Sequence, residues 1–226
     1  MADNQNSIAV GIKLPPPVEV DSEVEFTGVN QQDDETVELL LMLDIESLDV
    51  GPRSVVTQIA LYGLDTETDE LLDTHIFSYL PIQPQLDLIH PRTISASTLW
   101  WWMQQADEAR AAFEHSTSED FSELGILMNH FVNQFNFMTR GRSYQVWARG
   151  PQFDAVNVES LLVDCGLKAP WKYNSVRDLR TLMDEAGIHS ADVPEPNGFV
   201  AHHAAWDARY QLVCLREAQR RLRRRK

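Results

Sequence analysis

The stretch Leu39-Leu40-Leu41-Met42-Leu43-Asp44-Ile45-Glu46 decides the fold of this protein, because an unbroken apolar run ends on two carboxylates. Such a run is typical of a strand that is buried on both faces of a sheet. Successive side chains of a strand alternate between faces, so Asp44 and Glu46 point the same way. Like charges repel unless a cation lies between them, and oxygen ligands favour Mg²⁺ or Mn²⁺. The pair predicts a metal site, against the alternative of a solvated strand end.

The Asp-x-Glu spacing is a weak signal by itself. It also begins at Asp21, Asp33 and Asp65, and the chain holds 34 acidic residues. The first two copies lie in a polar segment, and the last follows Gly63 in a turn-rich segment. Only the copy at Asp44 follows a core strand.

The composition indicates one globular domain with an extension. The chain has 226 residues and is 43% hydrophobic, which is enough for a core. No apolar stretch approaches the roughly 20 residues that a membrane span needs, and the N-terminus lacks a signal-peptide pattern. We therefore expect a cytoplasmic protein without a membrane partner. Cys165 and Cys214 are predicted to be core thiols rather than a disulfide or metal site.

The formal net charge of −15 argues at first sight against a nucleic-acid partner. Residues 1–38 carry a net −8 and residues 216–226 a net +6, which leaves −13 for the middle of the chain. Bound divalent metals would neutralise part of that charge, so a cleft could attract phosphate while the outer surface repels it. Salt-sensitive substrate binding is expected to follow.

The order of the predicted elements favours an α/β fold with a mixed sheet and one antiparallel edge. We expect residues 1–36, with Pro15–Pro17, to be a flexible acidic extension, residues 37–215 the main domain, and residues 216–226 a basic helix end or tail. The predicted elements are strands at 37–45, 54–63, 71–80 and 144–148, and helices at 97–115 (capped by Ser97 or Thr98), 118–137, 153–165, 176–186 (closed by Gly187) and from 203 onward.

Two more acids extend the predicted site. Asp154 follows the strand at 144–148 and a Gly-Pro turn, which places it at a helix N-terminus beside the edge where ligands collect. The alternative is that Asp154 only caps this helix. Asp207 lies in the alanine-rich segment 201–208, whose small side chains allow close packing against the sheet. A carboxylate facing the core is costly unless it meets a metal.

These motifs resemble the DEDDh group of 3′–5′ exonucleases, which have a ribonuclease H-like fold. The order Asp44-x-Glu46, Asp154, His202-x-x-x-x-Asp207 carries the resemblance, over roughly residues 38–215. It implies a five-stranded mixed sheet flanked by helices. Further segments are similar to the branch that holds phage DexA-type exonucleases and bacterial polyadenylate-preferring exoribonucleases. They are Thr98–Gln105 with Ala109-Arg110, Val146–Asp154, Pro170–Tyr173 and Arg177–Leu182.

The resemblance implies that Asp44, Glu46, Asp154 and Asp207 hold two Mg²⁺ (or Mn²⁺) ions and that His202 is the general base. Helical geometry alone would instead pair His203 with Asp207, because residues four apart share a helix face. In the family the histidine sits on the loop before the helix, which favours His202.

The implied reaction releases nucleoside 5′-monophosphates from the 3′ end of single-stranded DNA. Three other functions stay open: the same chemistry on RNA 3′ ends, a catalytically silent nucleic-acid-binding module, and a cyclic- or dinucleotide phosphodiesterase. We expect substrate contacts from Ser47 (where the group usually has threonine), Leu48 and Phe153. Core packing is expected for at least one of Trp100–Trp102, in preference to base stacking, because three consecutive helical residues cannot all face one strand. The resemblance also allows a homodimer.

Overall fold

The computed structural model describes residues 37–225, so the expectations for residues 1–36 lie outside the described residues. The described chain forms one five-stranded sheet in the order β3-β2-β1-β4-β5. β1 pairs antiparallel with β2 and parallel with β4, so the predicted mixed α/β sheet is confirmed. The strands are β1 (Leu39–Ser47), β2 (Val56–Asp65), β3 (Ile76–Tyr79), β4 (Tyr144–Ala148) and β5 (Val176–Asp178).

Helices flank the sheet, and in residues 37–225 none is long and apolar enough to cross a membrane. Short 3₁₀ turns lie at Tyr173–Ser175 and Ser190–Asp192. The helices are α1 (Gln83–Leu86), α2 (Ala96–Met103), α3 (Asp107–Arg110), α4 (Ala112–His115), α5 (Phe121–Met138), α6 (Asp154–Asp164), α7 (Leu179–Ala186) and α8 (Ala204–Arg224).

The alternation of side chains along β1 builds two cores. Leu39, Leu41 and Leu43 are fully buried in the cluster that holds the apolar residues of α5 and α6. Leu40 and Met42 belong to a second cluster, on the opposite face, with the apolar residues of α7 and α8. The next even-numbered residues of β1 are the two acids, which therefore face α8.

The helix predicted for residues 97–115 is wrong in its extent. α2 begins earlier, because the Ser95 hydroxyl accepts the N–H of Thr98. It ends at Met103, where the side-chain amides of Gln104 and Gln105 donate back to carbonyls of the preceding turn. The chain then continues as the one-turn helices α3 and α4, and this break separates the tryptophans of α2 from the rest of the segment.

The helix predicted for residues 176–186 begins three residues too early. Residues 176–178 form β5, and the Asp178 carboxylate accepts the N–H of Arg180 to cap α7. Gly187 ends α7 with φ 64°, as predicted. A three-residue strand is too short to show a periodicity, so the sequence pattern could not separate it from the helix. The strand predicted at 71–80 is likewise shorter, with Ile76–Tyr79 as its paired part.

The basic C-terminal segment continues α8 as far as Arg224. Arg216 and Arg220 form ion pairs with Asp69, and Arg225 donates to the carbonyl of Glu185. These arginines contact the described domain instead of extending freely from it.

Candidate active site

Four carboxylates gather at one edge of the sheet. Asp44 and Glu46 lie near the end of β1, Asp154 is the first residue of α6, and Asp207 lies in the first turn of α8. The charges of Asp154, Glu46 and Asp207 all act on the Asp44 carboxyl. The structure therefore brings together the four acids that the sequence singled out.

The topology explains why these acids meet. β1 and β4 are parallel neighbours, so the segments that follow them leave the sheet at the same edge. Asp154 comes after β4 by a short turn, and α8 crosses the same edge. Ala204 and Ala208 are both 0% exposed, which lets the first turns of α8 lie close to β1. The carboxylate of Asp207 is thereby carried toward the end of that strand.

Burial and mutual repulsion raise the pKa values of these acids. Burial is the largest cause for Asp44, whose pKa is raised well above its ordinary value, and the charges of the other three acids add to it. Burial also raises the pKa of Glu46 and of Asp207. It raises the pKa of Asp154 to about 7, although nearby backbone groups oppose the shift. The ionised acids are therefore unfavourable without a positive partner.

The donor set fits hard divalent cations. Within residues 37–225, no lysine or arginine forms an ion pair with any of the four carboxylates. Ligand atoms of Glu46, His202 and Asp207 lie within 4.8 Å of one another. Carboxylate oxygens that repel each other in a partly buried site are the environment that Mg²⁺ or Mn²⁺ stabilises.

The two histidines before α8 point to different places. His202 lies on the loop with its imidazole within 4.8 Å of the carboxylates of Glu46 and Asp207. His203 is the N-cap residue of α8, and its Nε2 lies 3.4 Å from the hydroxyl of Tyr79. Its ring is half-buried against β3, and burial lowers its pKa. The imidazole of His202 therefore lies beside the acids, whereas His203 meets Asp207 only through its backbone N–H.

Gln211 is a site residue that the sequence analysis did not single out. It is 6% exposed, and its Nε2 donates to Oδ1 of Asp44 at 2.7 Å. Its Oε1 has no hydrogen-bond partner within the described part of the chain. The available signal was its position four residues after Asp207, which puts both side chains on one face of α8. The hydrogen bond orients the Asp44 carboxylate.

Two clefts meet at the acids and share Val50 and Phe153 as lining residues. Asp44 and Asp154 line the larger cleft, of about 680 Å³. Glu46 lines the smaller cleft, of about 450 Å³. Three of the four acids therefore line two neighbouring clefts.

Two of the three expected substrate contacts border this space. Ser47 and Phe153 line the smaller cleft. Leu48 does not: it is 2% exposed and packs against Val55 and Trp102, and its N–H donates to the carbonyl of Val55. Leu48 lies beneath the cleft, which corrects its expected role as a substrate contact.

Arg149 and Arg180 place positive charge on the rim of the larger cleft. Both side chains are exposed, and neither forms an ion pair with a carboxylate among residues 37–225. Their charges reach the site. The charge of Arg149 opposes the rise in the pKa of Asp207, and the charge of Arg180 opposes the rise in the pKa of Asp154. Sequence reasoning missed their role, although Arg149 stands in the turn between β4 and the third acid.

The three tryptophans of α2 take three different positions. Trp102 is 2% exposed, and its Nε1 donates to the carbonyl of Ser47 at 2.9 Å. Trp101 is 40% exposed and meets the His202 imidazole edge-to-face, with ring centroids 4.6 Å apart. Trp100 is 64% exposed, and no ring contact joins it to another described residue. Trp102 thus fulfils the expectation that at least one of the three packs in the core.

The five-stranded mixed sheet flanked by helices is the ribonuclease H-like fold, and four acids gather at the edge where β1 and β4 end. The chain belongs to the 3′–5′ exoribonuclease Rv2179c-like domain family, whose model matches residues 40–219. It is therefore a nucleic-acid hydrolase of the 3′–5′ exonuclease class, in a family that generally uses divalent metals.

Similar proteins agree with this assignment. An exodeoxyribonuclease of Enterobacteria phage T4 is 28% identical over 207 residues, which are 79% of this chain and 88% of the relative.

Solved structures show the same fold. The nuclease domain of 3′hExo, a DEDDh family member bound to rAMP, has a TM-score of 0.52 at 12% identity, over 83% of this chain and 94% of that chain. An exonuclease I from Methylocaldum szegediense has a TM-score of 0.54 at 14% identity, over 80% of this chain and 41% of that longer chain.

Proposed function

We propose that this protein hydrolyses single-stranded DNA from its 3′ end to nucleoside 5′-monophosphates, with two Mg²⁺ (or Mn²⁺) ions. The observation that carries the proposal is the convergence of four carboxylates at one sheet edge with His202 beside two of them. Residues 37–215 form the nuclease domain in this proposal. Such an enzyme would work in the cytoplasm of a bacterial host, if it is phage-encoded.

Asp44, Glu46, Asp154 and Asp207 would hold the metal ions. When bound there, two divalent cations supply positive charge to the attacking and leaving oxygens of an in-line displacement at phosphorus. Gln211 holds one oxygen of Asp44 in place at 2.7 Å. Burial and mutual repulsion raise the pKa values of Asp44 and Glu46 because they disfavour the ionised carboxylates. The same two causes favour a cation between the carboxylates, since it would neutralise their charge.

His202 acts as the general base in this proposal. Its ring accepts a proton from the attacking water, whose oxygen forms the new bond to phosphorus as the bond to the 3′ oxygen of the preceding nucleotide breaks. The leaving 3′ oxygen takes up a proton from solvent and becomes the 3′-hydroxyl of the shortened strand, and the released nucleotide carries the 5′-phosphate. The position of His202 on a loop, outside the helix, lets the imidazole lie next to the acids and still reach solvent.

The clefts on either side of the acids suit an extended strand. Phe153 is common to both clefts, and Ser47 offers a hydroxyl in the smaller one. Arg149 and Arg180 would contact phosphates, because four carboxylates and two divalent cations together leave no excess positive charge for the substrate. Arg149 and Arg180 would thus supply local positive charge for nucleic acid on a protein whose net charge is −15.

RNA is the second candidate substrate. The phage T4 relative, an exodeoxyribonuclease matched over 88% of its length, favours DNA. The family description, an exoribonuclease domain, favours RNA 3′ ends. RNA carries a 2′-hydroxyl that DNA lacks, so the choice between these substrates depends on protein contacts to that group.

Degradation of 5′-labelled DNA and RNA oligonucleotides of one sequence tests the proposal. We expect a ladder that shortens from the 3′ end with Mg²⁺, no reaction with chelator, and none with Asp207→Asn. Faster loss of the RNA would transfer the assignment to the second candidate. Internal cleavage of a circular strand, or activity in chelator, would contradict the exonuclease mechanism.

A homodimer stays a prediction that sedimentation of the full chain tests.

A further inference from the structure

We propose that Trp101 is a positioning residue, which holds the His202 imidazole beside the acids in the orientation that accepts a proton from the attacking water. The inference rests on the proposed function, because that function makes His202 the base. It goes further by assigning a role to an exposed aromatic residue of the smaller cleft.

The backbone of His202 needs support from its surroundings. Its φ of 62° lies in the left-handed region, which is unfavourable for a residue with a Cβ atom. Such a conformation persists only where neighbouring groups hold it, and it is often found at functional sites. The loop alone therefore does not explain why the ring stays beside Glu46 and Asp207.

Trp101 supplies that support through ring contact. Its ring meets the imidazole at 82° with centroids 4.6 Å apart, the edge-to-face arrangement that aromatic pairs prefer. Trp102 lies farther off, at 6.3 Å. His203 is turned away toward Tyr79, so it does not share this contact.

The helix that carries Trp101 is bonded to the strand that carries the acids. Nε1 of Trp102 donates to the carbonyl of Ser47 at 2.9 Å, directly after Glu46. The N–H of Ser95, at the start of α2, donates to the carbonyl of Leu48 at 2.9 Å. Because both ends of this short helix are tied to the end of β1, Trp101 holds a stable position relative to the acids.

Base stacking is the competing role. Trp101 also lines the smaller cleft and is 40% exposed, so a nucleobase could reach its ring. The two roles differ in what they depend on: positioning acts only through His202, whereas stacking acts on the substrate whether or not His202 is present.

A double-mutant cycle on the full chain separates them, read by steady-state hydrolysis of 5′-labelled single-stranded DNA with Mn²⁺. We expect Trp101→Ala to lower kcat by roughly 3- to 10-fold, the change that loss of one aromatic pair produces. KM stays the same, and Trp101→Phe recovers most of the rate. In the His202→Ala background, Trp101→Ala causes no further loss, because the residue through which it acts is already gone.

Trp100→Ala is the matched control, since that residue is more exposed and sits on the same helix without touching His202. Trp100→Ala should leave kcat and KM unchanged in both the parent and the His202→Ala background. A readout independent of turnover is the ring-proton chemical shift of His202, which the neighbouring indole displaces. Trp101→Ala should move this resonance and Trp100→Ala should not, while Mn²⁺ affinity and thermal unfolding stay as in the parent protein.

An equal loss from Trp101→Ala in both backgrounds, or a rise in KM alone, would show that Trp101 binds substrate and would overturn the inference. An unaffected kcat in Trp101→Ala beside a large loss in His202→Ala would overturn it and leave the proposed function standing. If His202→Ala kept the parent rate, the base assignment in the proposed function would fail, and the positioning role with it.

Discussion

Asp44 is a buried carboxylate whose neighbours are other carboxylates, so its position favours ligand binding at the expense of stability. It is 8% exposed, and its hydrogen bond from Gln211 opposes the unfavourable effect of burial and repulsion on its ionised form. A residue that only shaped the end of β1 would not need a charge here. Neutralising it should therefore separate activity from stability.

Asp44→Asn keeps the shape of the side chain and removes its charge. We expect hydrolysis to be lost, and the metal-free protein at neutral pH to become more stable, because the amide carries no charge to be buried beside the other three acids. Single-turnover assays with Mg²⁺ and thermal unfolding with chelator measure the two effects. Glu119→Gln, at an exposed position, is the control and should change neither. Near-normal turnover in Asp44→Asn would remove Asp44 from the site.

His202 also combines an unfavourable local conformation with a proposed role. Glycine adopts its φ of 62° freely, whereas alanine does not. We expect both His202→Gly and His202→Ala to lower the rate by roughly 10²–10⁴-fold. The glycine variant should be the more stable of the two by about 1 kcal/mol in urea unfolding, because the roughly 1–2 kcal/mol cost of alanine at this φ exceeds the extra unfolded-state entropy of glycine. Greater stability of the alanine variant would show that this loop relaxes to another conformation.

Among the secondary-structure elements, α6 is tied to the loop that follows β1 by a buried polar network. The Arg92 side chain is 0% exposed and donates to Asp164 at 2.9 Å and to the carbonyl of Ser54 at 2.8 Å. The N–H of Ser54 donates to the side chain of Asn157 at 2.9 Å. Because α6 begins with Asp154, this network holds the third acid in register with the two on β1.

Asp164→Asn should weaken that connection. It leaves the buried Arg92 guanidinium without a counter-charge, and we expect a loss of about 3 kcal/mol in urea unfolding. The control is Asp107→Asn, whose partner Arg110 is exposed, and it should cost less than about 1 kcal/mol. Equal losses in the two variants would show that the Arg92 pair contributes no more than a surface pair.

For the whole molecule, the clustered acids predict an inverse dependence of stability on pH when metal is absent. Asp154 has its pKa raised from 3.8 to about 7, so between about pH 4 and 7 this carboxyl holds more of its proton in the folded chain than in the unfolded chain. Stability contributed by the protonated acid is present at low pH and is lost as pH rises through that window. Thermal unfolding in chelator measures it, and Asp154→Asn should reduce the slope.

Metal addition should reverse the loss. At pH 7 Mn²⁺ should raise the unfolding temperature more than at pH 5, because protons compete with the metal at the lower pH. Stability that rises between pH 4 and 7 in chelator, or an equal effect of Mn²⁺ at both values, would contradict the clustering of these acids.

The protein has a net negative charge, so its attraction of nucleic acid should depend on Arg149 and Arg180 at the rim of the larger cleft. Arg149→Gln and Arg180→Gln should each weaken binding of single-stranded DNA and reduce the slope of log affinity against log salt by roughly 0.7. Fluorescence anisotropy with Ca²⁺ measures it. Arg177→Gln is the control, because that exposed arginine donates to its local backbone carbonyls and does not line the cleft. An unchanged slope in the first two variants would show that phosphates bind elsewhere.

The sequence by itself determined the central strand, the face on which Asp44 and Glu46 lie, and the α/β class. Apolar side chains on both faces and a period of two are local properties, so a pattern along the chain is enough to show them. The sequence also predicted Asp154 and Asp207 as site residues, and each lies near the start of a predicted helix. Short elements escaped: β5 has three residues, and the break after Met103 depends on side-chain amides that bond to the backbone.

The sequence left the two histidines in competition, since helical spacing favoured His203 and the family resemblance favoured His202; the tertiary structure decided it by placing the imidazole of His202 beside Glu46 and Asp207. It also decided that Leu48 is covered by α2 and that Gln211 meets Asp44. Each of these depends on where a distant segment packs against β1, and spacing along one element carries no information about a partner contributed by another.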